Sequence, residues 1–126
     1  TRRSSDLVTV MKQTILLTGD ASEKVEEAVV QANPNLRFSI LKAGHHGSRT
    51  SSGEALLKLV QPRLAFISCG KHNHYGHPSP ETLARLKANG AIIFRTDQDG
   101  QIRLRFNTEK LEVTTTLTKR KKELKQ

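Results

Sequence analysis

An α/β domain is the fold class that the sequence predicts, and three observations predict it. Short apolar runs of strand length alternate with segments whose apolar residues recur at helical spacing. Turn signals join neighbouring runs near both ends of the chain, so antiparallel strands are expected there. A length of 126 residues with 35% apolar and 26% charged side chains suits one modest core and excludes a disordered chain. No run approaches ~18 apolar residues, so no membrane-spanning helix is expected. No charged-then-apolar leader is visible, so no signal peptide is expected. The single cysteine, Cys69, excludes an internal disulfide and a cysteine-based zinc site.

Asp6 to Met11 reads as a strand, and Lys12-Gln13 as a tight turn into a second strand, Thr14 to Thr18. Gly19-Asp20 stops that strand. Ser22 is a helix cap, and Val25, Ala28, Val29 and Ala32 recur as the apolar face of the helix that follows. Asn33-Pro34-Asn35 turns the chain into a strand over Leu36 to Leu41. A loop of small residues, Ala43 to Ser48, follows. Ser52 or Gly53 opens a short helix with Ala55, Leu56, Leu59 and Val60 as its stripe, and Pro62 marks its exit. Leu64 to Ser68 is a buried strand, and Gly70 to Pro78 a long polar loop. Ser79-Pro80-Glu81 has the pattern of a helix start, and Asn89-Gly90 that of a helix end. Ala91 to Arg95 and Ile102 to Phe106 flank Asp97-Gln98-Asp99-Gly100, which predicts a hairpin. Leu111 to Leu117 is a last strand. The expected organisation is one domain over 1–117 and a solvated basic tail over 118–126.

Charge narrows the partners. Lys and Arg outnumber Asp and Glu by 21 to 12, a net +9, of which the tail holds +4 and the body +5. A basic body suits a polyanion such as nucleic acid or anionic headgroups, set against a face kept basic for solubility. With no Trp and one Tyr, an extended base-stacking platform is not expected, so backbone contact is favoured over base reading.

All five histidines lie between His45 and His77, in the two loops that follow the second and third central strands. Asp20 holds the matching place after Thr14–Thr18. Three strand ends thus carry Asp20, then His45-His46, then His72, His74 and His77. Ligands of α/β sheets bind beyond the carboxyl ends of strands. An aspartate with several histidines is a donor set for a divalent metal. Singly, Asp20 reads as a turn or capping residue, the His-His pair as surface, and Cys69 as a small buried hydrophobe. Together they outweigh those readings. Gly44 and Gly47 allow a close backbone approach to a ligand.

The segments Leu16-Leu17-Thr18-Gly19-Asp20, Leu41-Lys42-Ala43-Gly44-His45-His46-Gly47-Ser48 and Ser68-Cys69-Gly70-Lys71 through Tyr75-Gly76-His77-Pro78-Ser79-Pro80-Glu81 resemble the metallo-β-lactamase fold. More narrowly they resemble the C-terminal hydrolase domain of the ComEC family, membrane channel proteins of DNA uptake in natural competence. The resemblance covers about residues 6 to 117. It implies the C-terminal half of an αββα sandwich, a mixed sheet with flanking helices. Two departures stand out. The family's His-x-His-x-Asp-His metal motif is absent from this chain. Where the family carries two asparagines and a basic residue before Tyr-Gly-His-Pro, this chain has His72, Asn73 and His74.

Carried onto matching positions, the resemblance implies Asp20 as the carboxylate bridging two metals and His46 as a metal ligand, with His45 as the alternative. It places His77 beside the scissile phosphate, to protonate the leaving oxygen or bind the phosphate. Ser48, Lys71 and Asn73 are implied phosphate contacts. The cofactor implied is a divalent metal pair, zinc or manganese; this chain alone, with at most three ligands, is expected to bind metal weakly or not at all. The implied function is a metal-dependent phosphodiesterase or nuclease acting on DNA during uptake. The alternatives are a non-catalytic module that binds nucleic acid or the channel, and another esterase or lactonase branch of the fold. Expected partners are DNA, the remainder of a membrane channel protein, and a second copy of the chain covering apolar surface that half a sandwich leaves open. The parent would sit in the plasma membrane, with this domain on its outer face.

Overall fold

The structure, a computed structural model, describes residues 6–10, 13–19, 22–32, 34–35 and 39–125, with backbone alone at 6, 7, 10 and 45. Strands β1 (Asp6–Val10) and β2 (Gln13–Leu17) pair antiparallel, with Val10 opposite Gln13. Beyond β2 the sheet turns parallel. It continues through β3 (Ile40–Lys42), β4 (Leu64–Ile67) and β5 (Ile92–Arg95), in the order β1-β2-β3-β4-β5. Helices α1 (Glu23–Ala32), α2 (Glu54–Val60) and α3 (Pro80–Ala88) make the parallel crossovers. The chain is therefore α/β, a mixed sheet of mostly parallel strands flanked by helices, as expected.

Strand alternation divides the apolar residues between two faces. Leu16, Leu41, Ala65 and Ile67 point to the helices and pack with Leu56, Leu57, Val60 and Leu86. Ile40, Leu64, Phe66 and Phe94 point the other way. They meet Leu111 and Val113 of a second, antiparallel sheet built from β6 (Ile102–Phe106), β7 (Lys110–Thr115) and β8 (Lys121–Lys125). The layers are thus helices, sheet, sheet. The second sheet covers β2 only in part, through Ile15, and Val8 and Leu17 are each 39% exposed. A cleft of about 290 Å³ opens there between Ile15, Leu17 and Ile40 on one side and Ile102 and Leu104 on the other. Among the described residues, open apolar surface lies at this end, and Tyr75 and Leu117 are exposed elsewhere.

Three expectations are corrected. Asp97 to Gly100 is not a hairpin turn: Thr96–Asp99 is a short helix, α4, and β5 and β6 lie in different sheets. The reason is Asp99, whose buried carboxylate accepts from the Arg95 N–H at 2.8 Å, the Thr118 hydroxyl at 2.7 Å and the Arg120 guanidinium at 3.2 Å. Burial pushes that carboxyl up, but these donors outweigh it and hold it below the usual carboxylate range. The same contacts correct the basic tail. Arg120 lies over the Phe94 ring at 4.1 Å, so Lys121–Lys125 is held in register as β8, with Leu124 inward.

The third correction is the buried face of α1. Ala28 and Ala32 are exposed, Val30 reaches the core, and Glu26 is buried. Its carboxylate accepts from the N–H groups of Ser52 (2.7 Å) and Gly53 (2.8 Å). Burial pushes the Glu26 carboxyl up against these two bonds. The bonds tie α1 to the loop ahead of α2. Arg85 of α3 holds the same loop from the other side, donating to the carbonyls of Arg49, Ser51 and Ser52. Glu26→Ala strands two buried donors, so it is expected to destabilise the fold by about 2–4 kcal/mol. Urea unfolding of the two proteins measures this, and a change below ~0.5 kcal/mol would show the bonds to be dispensable. Among the described residues, no helix is long and apolar enough to cross a membrane.

Candidate functional site

Because β2, β3, β4 and β5 are parallel, their carboxyl ends share one edge of the sheet. Thr18 follows β2 and its hydroxyl donates to the Lys42 carbonyl at 2.8 Å, so the first two ends are fastened together. Asp20, two residues on, lies outside the described residues, and so does the His45 side chain.

After β3 the chain makes a 3₁₀ turn, Gly44–Gly47. His46 sits in it with φ +53°, a left-handed conformation that costs a non-glycine residue about 1–2 kcal/mol. Its Nδ1 lies 2.6 Å from the Ser68 carbonyl at the end of β4. A carbonyl only accepts, so Nδ1 is the donor here, and in the neutral imidazole the lone pair is then on Nε2. That is the arrangement of a metal-ligating histidine, oriented through its other nitrogen.

The next loop is held against this turn. The Ser79 N–H donates to the Gly47 carbonyl at 2.9 Å, and the Thr82 hydroxyl to the Ser48 carbonyl at 2.8 Å. A Cβ on Gly47 would meet Pro78 Cβ at 2.6 Å. The close approach expected of this glycine is therefore to Pro78, and it brings the His46 and His77 segments together. Ser48 is buried, its hydroxyl 3.0 Å from that of Thr50. Asn73 braces its own loop: its amide donates to the carbonyls of Gly70 (3.0 Å) and His77 (2.6 Å), and its oxygen accepts from the His77 N–H (2.9 Å). The His77 ring stacks on Tyr75 with centroids 5.7 Å apart, and its buried Nδ1 has no hydrogen-bond partner among the described residues. Lys71, His72 and His74 are exposed. Among the described residues, no three His, Cys, Asp or Glu side chains come together as a metal-binding group.

Sequence reasoning missed the fourth strand end. The Thr96 hydroxyl accepts from the Cys69 N–H at 2.9 Å and donates to the Cys69 carbonyl at 3.0 Å. It pins the residue next to Ser68, which holds His46. Asp97 receives a two-pronged bond from Arg95, at 3.0 and 2.7 Å. Burial pushes Asp97 up, but Arg95 and the Cys69 thiol outweigh it and bring the carboxyl below its usual range. Burial first, and Asp97 second, push the half-buried Cys69 thiol up, so it is no activated nucleophile. Burial lowers the Lys42 ammonium, which lines the cleft beside Ser68 and Thr96. Position was the available signal: Thr96 directly follows β5 as Ser68 directly follows β4.

The fold and this edge define an α/β domain whose histidine-bearing loops meet at the carboxyl ends of parallel strands. No protein-family profile matches the chain. Curated proteins similar to it include the following three. ComE operon protein 3 of Bacillus subtilis is 42% identical over 91 residues, 72% of this chain. Recombination protein 2 of Haemophilus influenzae is 37% identical over 108 residues, 86% of the chain. Competence protein ComA of Neisseria gonorrhoeae is 40% identical over 89 residues, 70% of the chain. The matched region spans only 12%, 14% and 13% of those relatives.

Proposed function

We propose that this chain is part of a metal-dependent phosphodiesterase or nuclease domain in a competence DNA-uptake protein of the ComEC family, with a metallo-β-lactamase fold. The observation that carries the reading is His46, an exposed residue whose Nδ1–H is committed to the Ser68 carbonyl, which leaves Nε2 as the nitrogen that would bind a metal. Similarity to a competence protein supports the setting. The full-length protein would lie in the plasma membrane, with this domain outside the lipid on its outer face, in contact with DNA and with the rest of the channel.

His46 fits a metal ligand, and Asp20, with His45 as the alternative histidine, would complete this chain's share of the site. A zinc or manganese pair, when bound, supplies an activated water and charge stabilisation at phosphorus. The chain's own groups act around that chemistry. His77, fixed by Asn73 and Tyr75, gives a proton to the leaving oxygen or holds the phosphate. Lys71, on the same exposed loop, offers an ammonium to the phosphodiester, and Asn73 acts by shaping that loop.

A second reading, a binding module without catalysis, is favoured by the basic charge of the chain, a net +9. Purified full-length protein separates the two. The catalytic reading expects DNA cleavage that a chelator abolishes, that Zn²⁺ or Mn²⁺ restores, and that Asp20→Ala removes. Metal-independent cleavage, or DNA binding without any cleavage, would reject it.

A further inference from the structure

The outer face of β6–β8 is built by strand alternation. Ile102, Leu104, Phe106, Leu111 and Val113 turn inward. The register then sets Arg103, Thr114 and Lys121 in one outward row, and Arg105, Glu112 and Glu123 in the next. Lys110 and Lys125 form a third row. Both acids are neutralised within the face: Glu123 by Lys110 at 3.0 Å and Lys121 at 3.5 Å, Glu112 by Lys121 at 3.5 Å. Among the described residues, Arg103, Arg105 and Lys125 have no carboxylate partner. Arg103 and Arg105 are exposed and stand two residues apart on an edge strand, about 6.8 Å from each other.

We infer that this face docks the phosphodiester backbone of nucleic acid without reading its bases. Two free guanidiniums at one spacing present paired donors to successive phosphate oxygens, a geometry an ammonium does not offer. The hydroxyl of Thr114 lies between Arg103 and Lys121 in the same row. Among the described residues, the outward rows themselves hold no apolar side chain to enter a lipid surface, which favours a polyanion chain over a membrane. Ile102, on the inner side of β6, lines the same cleft as Ser68 and Thr96, so the edge strand that carries Arg103 and Arg105 borders that cleft. The inference rests on the proposed function for its choice of nucleic acid, and on the charge pattern alone for the surface.

The test is fluorescence anisotropy of a short labelled single-stranded oligonucleotide in EDTA, titrated with this chain at several salt concentrations. No metal is needed, so the outcome is independent of whether the site cleaves anything. Arg103→Glu with Arg105→Glu is expected to weaken binding about tenfold. It should also flatten the slope of log K against log salt by about 1.4, two lost phosphate contacts at ~0.7 each. Arg103→Gln with Arg105→Gln, milder for folding, should shift both in the same direction. The charge-matched pair Lys58→Glu with Lys87→Glu, on the helical layer, should move binding less than twofold. Equal losses in the two charge-reversed pairs would show a net-charge effect and overturn the surface. So would binding to phosphatidylglycerol vesicles with no binding to the oligonucleotide.

Discussion

His77→Ala in the full-length protein is expected to cut phosphodiester turnover by ~10²–10⁴, the range of a lost proton-transfer group, while metal content stays unchanged. The loop geometry separates it from His46. The His77 backbone is fixed at both its N–H and its carbonyl by Asn73, and its ring lies on Tyr75, a side chain 82% exposed. The His77 ring, half-buried with its Nδ1 unpartnered among the described residues, is held by a loop and not by a strand end. His46, by contrast, is locked through Nδ1 to the end of a buried strand, where a rigid scaffold holds a ligand. His46→Ala and Asp20→Ala should therefore lose metal and activity together. Metal content and cleavage measured on the three variants distinguish the roles. Loss of metal in His77→Ala with retention in His46→Ala would reverse the assignment.

Gly47→Ala is expected to lower stability by about 2–5 kcal/mol, or roughly 10–20 °C in Tm. Two costs add. The residue sits at φ +81°, and its new Cβ would press on Pro78 Cβ at 2.6 Å and Pro78 Cα at 3.0 Å. Backbone and ring atoms of proline cannot swing away as a flexible side chain can. Gly76→Ala is the control, since it has φ +68° with open space around it and meets only the first cost, about 1 kcal/mol. Thermal melts of both variants measure the difference. Equal shifts would mean that the Gly47–Pro78 contact does not hold the two loops together. In the full-length protein the Gly47 change should also weaken metal binding, because it displaces the residue next to His46.

The apolar pattern made most of the scaffold legible. Continuous apolar runs located β2 and β4, and Ser79-Pro80 located the start of α3, where the Ser79 hydroxyl accepts from the Thr82 N–H at 3.1 Å. What escaped was decided by charged groups whose partners are distant in sequence. Glu26 is buried because Ser52 and Gly53, 26 and 27 residues away, satisfy it. Asp99 forms no hairpin, and β8 is no tail, because Arg120 reaches back 21 residues. Periodicity carries no trace of such pairings. At the site, histidine clustering marked His46 and His77. The bracing roles of Asn73 and Thr96 could not be read, since each depends on which carbonyl a loop brings within reach.

The most direct test of a metal site at this edge is an NMR titration of the ¹⁵N-labelled chain with Mn²⁺, whose paramagnetism reveals even weak binding. Without metal, the His46 ring should show the Nδ1–H tautomer imposed by Ser68. With Mn²⁺, the His46 ring and the backbone signals of Gly19 and Ser68 should broaden first, and Asp20→Ala should abolish the effect. The account is contradicted if His46 carries its proton on Nε2, or if the exposed His72 and His74 broaden while His46 stays sharp.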